Sequence, residues 1–177
     1  IHVISEFESE DEFFQFNYFN EFGIIKLNTD PTYVKGGSGS AYMEIHGNPV
    51  QGSGYKPYMV IYNDTEYNDK TDYTDVEEFR ISVYNASDRD VNMYFQFRSA
   101  SFNKSGYSSE QKFVLTKGQW NEVSIPVDRA LINTFIDLDQ ISEFYIKFDN
   151  RESRDQNPAK LYMDSFVAIQ TDEPIPT

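Results

Sequence analysis

The sequence predicts an all-β fold, a two-sheet antiparallel jelly-roll β-sandwich, on three observations. Short runs alternate apolar and polar residues at period two, the pattern of strands with one buried face. Clusters of Gly, Pro, Asn, Asp and Ser separate these runs at short intervals, as turns between strands do. No stretch sustains the apolar spacing of a long amphipathic helix.

The clearest strands lie in Val76 to Ser99. Phe79, Ile81 and Val83 share one parity against Arg80, Ser82 and Tyr84; Val91, Met93, Phe95 and Phe97 alternate with Asn92, Tyr94, Gln96 and Arg98. The linker Asn85-Ala86-Ser87-Asp88-Arg89-Asp90 is rich in residues that bond to local backbone. The pair reads as an antiparallel hairpin with one face in a core and the other in water.

From the start of the chain, an acidic cluster (Glu6, Glu8, Glu10, Asp11, Glu12) encloses Phe7, and an aromatic-dense stretch to Leu27 reads as short strands with a turn. Asp30-Pro31 marks a turn and Gly36 to Ser40 a loop. Ala41 to His46 alternates as a strand, Gly47 to Gly54 reads as a loop, and Tyr58 to Tyr62 is a short strand. Asn63 to Asp75 is acidic and reads as a surface loop; Ser99 to Gln111 reads as another. Lys112 to Leu115 and Trp120 to Pro126 flank a Thr116-Lys117-Gly118 turn as a second hairpin, with Trp120 placed in the core. Asp128 to Ile132 suits one helical turn capped by Asp128. Ile141 to Asp149 and Leu161 to Ile169 complete the strands. This gives one sandwich domain over 1–170 and a linker-like tail over 171–177.

A chain of 177 residues suits one large β domain, and an aromatic fraction of 16% supplies a sizeable core. A net charge of −14 argues against nucleic acid and anionic membranes as partners and leaves cations, neutral ligands or basic proteins. No apolar run approaches the roughly 18 residues of a membrane-spanning helix. Cysteine is absent, which removes disulfides, thiolate catalysis and thiolate metal sites. The chain begins at Ile1 with no signal-like segment, as a processed chain or excised module would.

Four pieces resemble the β-jelly-roll carbohydrate-binding modules, galactose-binding-like sandwiches attached to secreted glycoside hydrolases and surface proteins. They are Phe7-Glu8; the Gly-Ser turn into a strand, Gly37 to Ile45; the phrase Leu115, Gly118, Trp120, Val123, Ile125, Pro126; and Leu161-Tyr162-Met163-Asp164-Ser165-Phe166. Where such modules often carry a second Asp after the first, this chain has Ser165, and no numbered family is assignable. The resemblance implies that the first and last strands are neighbours with a structural calcium between them. It also implies Glu8 and Asp164 as carboxylate ligands, Glu10 or Asp11 as a third, and backbone carbonyls around Ser38 and Gly39 completing the shell. Calcium takes six to eight hard oxygens, which such a set can supply. The acidic loop Asp64 to Asp75 is a rival site, but it lacks the central Gly and terminal Glu of an EF-hand loop.

The chemistry of catalysis is not evident. His2 and His46 lie in no motif, and the Gly36 to Gly39 loop precedes a strand, so it offers no phosphate-cradling helix terminus. Binding fits better. Sugars present C–H faces that stack on aromatic rings and hydroxyl rims that bond amides, carboxylates and guanidinium groups. The polar strand faces supply such a set in Tyr84, Tyr94, Gln96 and Arg98 from the first hairpin and Tyr145 and Lys147 from the later strand, with Tyr42 and Tyr62 as extensions. Loop tyrosines Tyr55, Tyr67, Tyr73 and Tyr107 are a competing location.

The expectation is a non-catalytic, calcium-stabilised module, extracellular or at the cell surface, that holds a larger protein on a polysaccharide or oligosaccharide. The alternative is a structural or protein-interaction sandwich without glycan binding. The platform depends on one adjacency: the strand carrying Tyr145 and Lys147 must share a sheet with the strands at 76 to 99.

Overall fold

The computed structural model describes residues 1–12, 23–46, 58–63, 68–100, 105–128, 136–149 and 158–171. The aromatic stretch before Gly23, the Gly47 to Gly54 loop, most of the Asp128 to Ile132 turn and nearly all of the tail lie outside them.

Among the described residues the strands are β1 (His2–Ser5), β2 (Gly23–Asn28), β3 (Ser40–Ile45), β4 (Tyr58–Tyr62), β5 (Val76–Asn85), β6 (Val91–Ala100), β7 (Ser105–Tyr107), β8 (Gln111–Leu115), β9 (Trp120–Pro126), β10 (Ile141–Phe148) and β11 (Ala159–Gln170). They form two antiparallel sheets. Sheet A runs β2-β3-β11-β5-β9, with β1 also on β11; sheet B runs β4-β10-β6, with β7 and β8 both on β6. The all-β sandwich is as the alternation predicts, and the first and last strands pair as the resemblance implies.

The hairpin reading of β5 and β6 is corrected. β5 pairs with β11 and β9 in sheet A, and β6 pairs with β10, β7 and β8 in sheet B. Residues 86–90 therefore arch between the sheets. Buried Asn85 holds the arch: its Nδ2 donates to the carbonyls of Arg89 (3.0 Å) and Leu115 (2.9 Å), and its Oδ1 accepts from Ser87 N. The second expected hairpin is an arch too, since β8 pairs with β6 and β9 with β5, and Gly118 supplies the positive φ of its turn.

The core lies between the sheets. Phe79 from sheet A meets Phe95, Phe97 and Phe144 from sheet B at centroid separations of 5.6, 6.1 and 5.1 Å, in tilted and edge-to-face arrangements. Tyr73 joins this cluster, fully buried, its hydroxyl donating to Asn63 Oδ1 at 3.0 Å and accepting from Asn68 Nδ2 at 3.1 Å. The expected surface loop at 63–75 thus sends a tyrosine and two asparagines inward. Residues 99–111, expected as loop alone, contain β7.

Candidate functional site

Registered partners share a face, so the outer surface of sheet B can be read row by row. One row is Tyr58 (β4), Lys147 (β10), Tyr94 (β6) and Lys112 (β8). The next is Val60, Tyr145 and Gln96, and the third is Tyr62, Glu143, Arg98 and Tyr107. The inward residues between them, Met59, Ile61, Phe95, Phe97, Phe144 and Ile146, are core. Five of the six sequence-predicted binding residues, Tyr94, Gln96, Arg98, Tyr145 and Lys147, are therefore brought onto one face.

Polar contacts fix these side chains. Tyr145 is flanked by the rings of Tyr107 at 5.5 Å and Tyr58 at 5.8 Å. Its hydroxyl donates to Glu143 Oε1 at 2.7 Å, and the same oxygen accepts from Arg98 Nη1 at 2.9 Å. Burial, then the hydrogen bond to Glu143, pushes the Tyr145 phenol far above its ordinary range, while Glu143 raises the Arg98 guanidinium further. Arg98 lies 5.5 Å over the Tyr107 ring, and Lys147 pairs with Glu110 at 3.3 Å while lying about 6 Å from the Tyr58 and Tyr145 rings. Gln96 donates to the Ser108 carbonyl at 2.8 Å. The face offers half-buried tyrosine rings with ammonium, guanidinium and carboxylate groups at fixed positions between them, the inventory that contacts sugar C–H faces and hydroxyls. A cavity of about 310 Å³ adjoins it, lined by Tyr62, Arg98 and Glu143 among others.

Tyr84 is the exception, because β5 belongs to sheet A. It sits on the opposite side of the molecule in a row that crosses five strands: Lys26, Tyr42, Tyr162, Tyr84 and Trp120. Trp120 is half-buried on this outer face, 5.6 Å from Tyr84 and under Lys35 at 5.5 Å, so its core placement is corrected. Of the loop tyrosines, Tyr107 joins the sheet B face, Tyr73 is core, and Tyr55 and Tyr67 lie outside the described residues. Tyr58, Tyr107 and Glu143 belong with the sheet B set; strand parity marks Glu143 as outward and gives Tyr58 the face of Tyr62, whereas Tyr107 lies in a stretch that the sequence presents as loop.

The residues expected around calcium meet where loop 31–39 folds over sheet A. The Asp164 carboxylate is buried and accepts from the backbone N–H groups of Lys35 (2.8 Å) and Gly36 (3.0 Å). Glu8 Oε2 accepts from Ser38 N and Oγ at 2.8 and 2.6 Å, so Ser38 acts here as a donor to the carboxylate. Glu8 Oε1 is buried with no hydrogen-bond partner, and a Cβ on Gly37, itself at φ +74°, would collide with it. Burial pushes the Asp164 carboxyl up against the pull of its backbone donors, and the neighbouring Glu8 charge adds to the rise. Two non-glycine residues with positive φ, Phe7 and Ser165, flank these two acids in the chain, and Ser165 is the bulge that shifts the β11 register.

Two adjacent carboxylates, one with an orphaned buried oxygen, beside a Gly-rich loop fit a hard cation such as calcium. Glu10 is exposed in the 3-10 turn 10–12, and no group of three or more acidic or histidine side chains placed to hold a metal ion is found among the described residues, so Glu10 does not complete the set. Glu12 has a different task, its Oε2 accepting from Glu8 N at 2.6 Å and Ser9 N at 2.9 Å.

The architecture is that of the β-jelly-roll carbohydrate-binding modules. Superposition on a family 11 carbohydrate-binding module from Clostridium thermocellum, solved in complex with a β-1,3-1,4-mixed-linked tetrasaccharide, gives a TM-score of 0.65 at 11% identity over 96% of this chain and 95% of that one. A non-crystalline-cellulose-specific module, CBM28, gives 0.53 at 15% identity over 81% and 79% of the two chains. An exo-β-agarase structure matches at 0.65 and 8% identity over 98% of this chain, which spans 25% of the agarase chain. No family model and no curated protein matches the sequence.

Proposed function

We propose that the protein is a non-catalytic polysaccharide-binding module whose ligand runs along the outer face of sheet B. The observation that carries this reading is the register of β4, β10, β6 and β7, which gathers Tyr58, Tyr94, Gln96, Arg98, Tyr107, Tyr145 and Lys147 on one surface. A row of rings repeated across strands suits a chain ligand, because successive sugar units each present a C–H face and a hydroxyl rim. The charge of −14 suits neutral glycans over polyanions. Calcium, held by Glu8, Asp164 and loop oxygens, fixes loop 31–39 to the β1–β11 edge and has a structural role. The setting is extracellular or at a cell surface, where the module holds a larger protein on the polysaccharide.

Affinity electrophoresis against soluble β-glucans, xylans, mannans, pectin and agarose tests the reading. Retardation by at least one of them, markedly reduced in Tyr145→Ala, is expected. A folded protein that no glycan retards, with calcium present, contradicts it.

A further inference from the structure

A second cavity, of about 430 Å³, opens on the outer face of sheet A, the side of the molecule away from the proposed polysaccharide face. It is lined by Lys26, Asn28, Asp30, Tyr42, Glu44 and Tyr162 among others, and its size lies within the roughly 300–1,000 Å³ range of small-molecule sites. Its aromatic wall is the Tyr42 and Tyr162 pair, with centroids 4.9 Å apart and planes at 44°. Tyr33 stacks on Tyr162 at 4.1 Å and 7°, which fixes that ring from the neighbouring loop. Glu44 is held by Tyr42, whose OH donates to its Oε2 at 2.9 Å, and His46 Nε2 lies 3.4 Å from its Oε1. Lys26, exposed on β2, reaches to 5.4 Å over the Tyr42 ring.

We propose that this cavity is a separate site for a single neutral sugar ring, either free or at a chain end. The rim carries both kinds of group that hydroxyls need, an ammonium donor from Lys26 and carboxylate acceptors from Glu44 and Asp30. The tyrosine wall supplies contact area for C–H groups chiefly through half-buried Tyr162, since Tyr42 is buried. Two carboxylates against one ammonium disfavour uronates and other anionic sugars. Its volume of about 430 Å³ accommodates a single sugar ring. The site shares no residue with the sheet B face and does not rest on the reading of that face.

The test is an amide-detected NMR titration of the whole chain with methyl glycosides of glucose, galactose, mannose and xylose, and with glucuronate. At least one neutral glycoside is expected to shift Lys26, Asn28, Tyr42, Glu44 and Tyr162 saturably in the millimolar range, with glucuronate about tenfold weaker or worse. The shifts persist in Tyr145→Ala and vanish in a Lys26→Ala, Glu44→Gln double variant whose melting temperature confirms folding. Shifts confined to sheet B, shifts that survive the double variant, or no saturable shifts with any neutral glycoside overturn the proposal. Tyr145→Ala separates the outcomes: reduced polysaccharide retardation with these shifts intact marks two independent sites.

Discussion

Tyr145 and Glu143, two residues apart on β10 and on the same outer face, are joined by a 2.7 Å hydrogen bond from the phenol to a carboxylate oxygen that Arg98 also engages. Glu143 is almost fully buried, whereas Arg98 is half-exposed. The carboxylate therefore orients both a ring and a guanidinium on the binding face. Glu143→Ala leaves both donors without their acceptor and should destabilise the protein by about 2–3 kcal/mol in urea unfolding. Glu143→Gln keeps an acceptor oxygen and should cost about half as much. Equal stability of all three proteins would show that the contact does not constrain the face.

Binding should depend on the face and not on tyrosine count. Tyr145→Ala is expected to weaken glycan binding by about 1–1.5 kcal/mol, roughly tenfold, as removal of a stacking ring does. Tyr84→Ala, on the other sheet, should leave that affinity unchanged. Calorimetry with whichever glycan retards the protein gives both values. Equal losses would place the ligand elsewhere.

Calcium should stabilise the fold through Glu8 and Asp164. At a concentration about a hundredfold above its dissociation constant, a ligand specific to the folded state adds about 2.7 kcal/mol, roughly 5–10 °C in melting temperature for a chain this size. Chelation should remove that increment, and Glu8→Gln with Asp164→Asn should abolish the response to added calcium. A melt insensitive to both chelator and calcium would dismiss the site.

Acid should loosen the 68–75 segment from β11. Partial burial alone would raise the Asp75 carboxyl, but the hydrogen bond from Gln170 and the ion pair with Lys70 outweigh it and hold the group below its ordinary 3.8. The folded state thus binds fewer protons than the unfolded one between that depressed value and 3.8. The stabilisation is fully present above 3.8 and is lost as pH falls through the folded value. Asp75→Asn should flatten this part of the stability profile below about pH 4 in denaturant titrations. An unchanged slope would mean that the contacts with Gln170 and Lys70 contribute nothing in solution.

The inward faces were legible in the sequence because alternation reports burial directly. Phe79, Ile81, Val83, Met93, Phe95 and Phe97 are all core. Pairing was not legible. An arch and a hairpin both turn two apolar faces toward one core, and only the backbone partners differ; Phe79 meets Phe95 across the sandwich at 5.6 Å. That ambiguity put Tyr84 with Tyr94. Trp120 is misplaced on separate grounds, by its place after the turn and before Val123 and Ile125, although its parity is opposite to theirs. Tyr73 was hidden for another reason. Its polar neighbours mark a loop, while the buried asparagines that satisfy its hydroxyl become visible only in three dimensions. The Glu8–Asp164 meeting came from resemblance alone, since no spacing rule links residues at opposite ends of the chain.

The most direct test of the central claim is to map a bound oligosaccharide by amide chemical shifts, using a fragment of whichever polysaccharide retards the protein. The account predicts that the shifts follow the rows of sheet B, at Tyr58, Tyr94, Arg98, Tyr107, Tyr145 and Lys147. Shifts that leave those rows untouched and fall on the loops at the ends of the sandwich would contradict it.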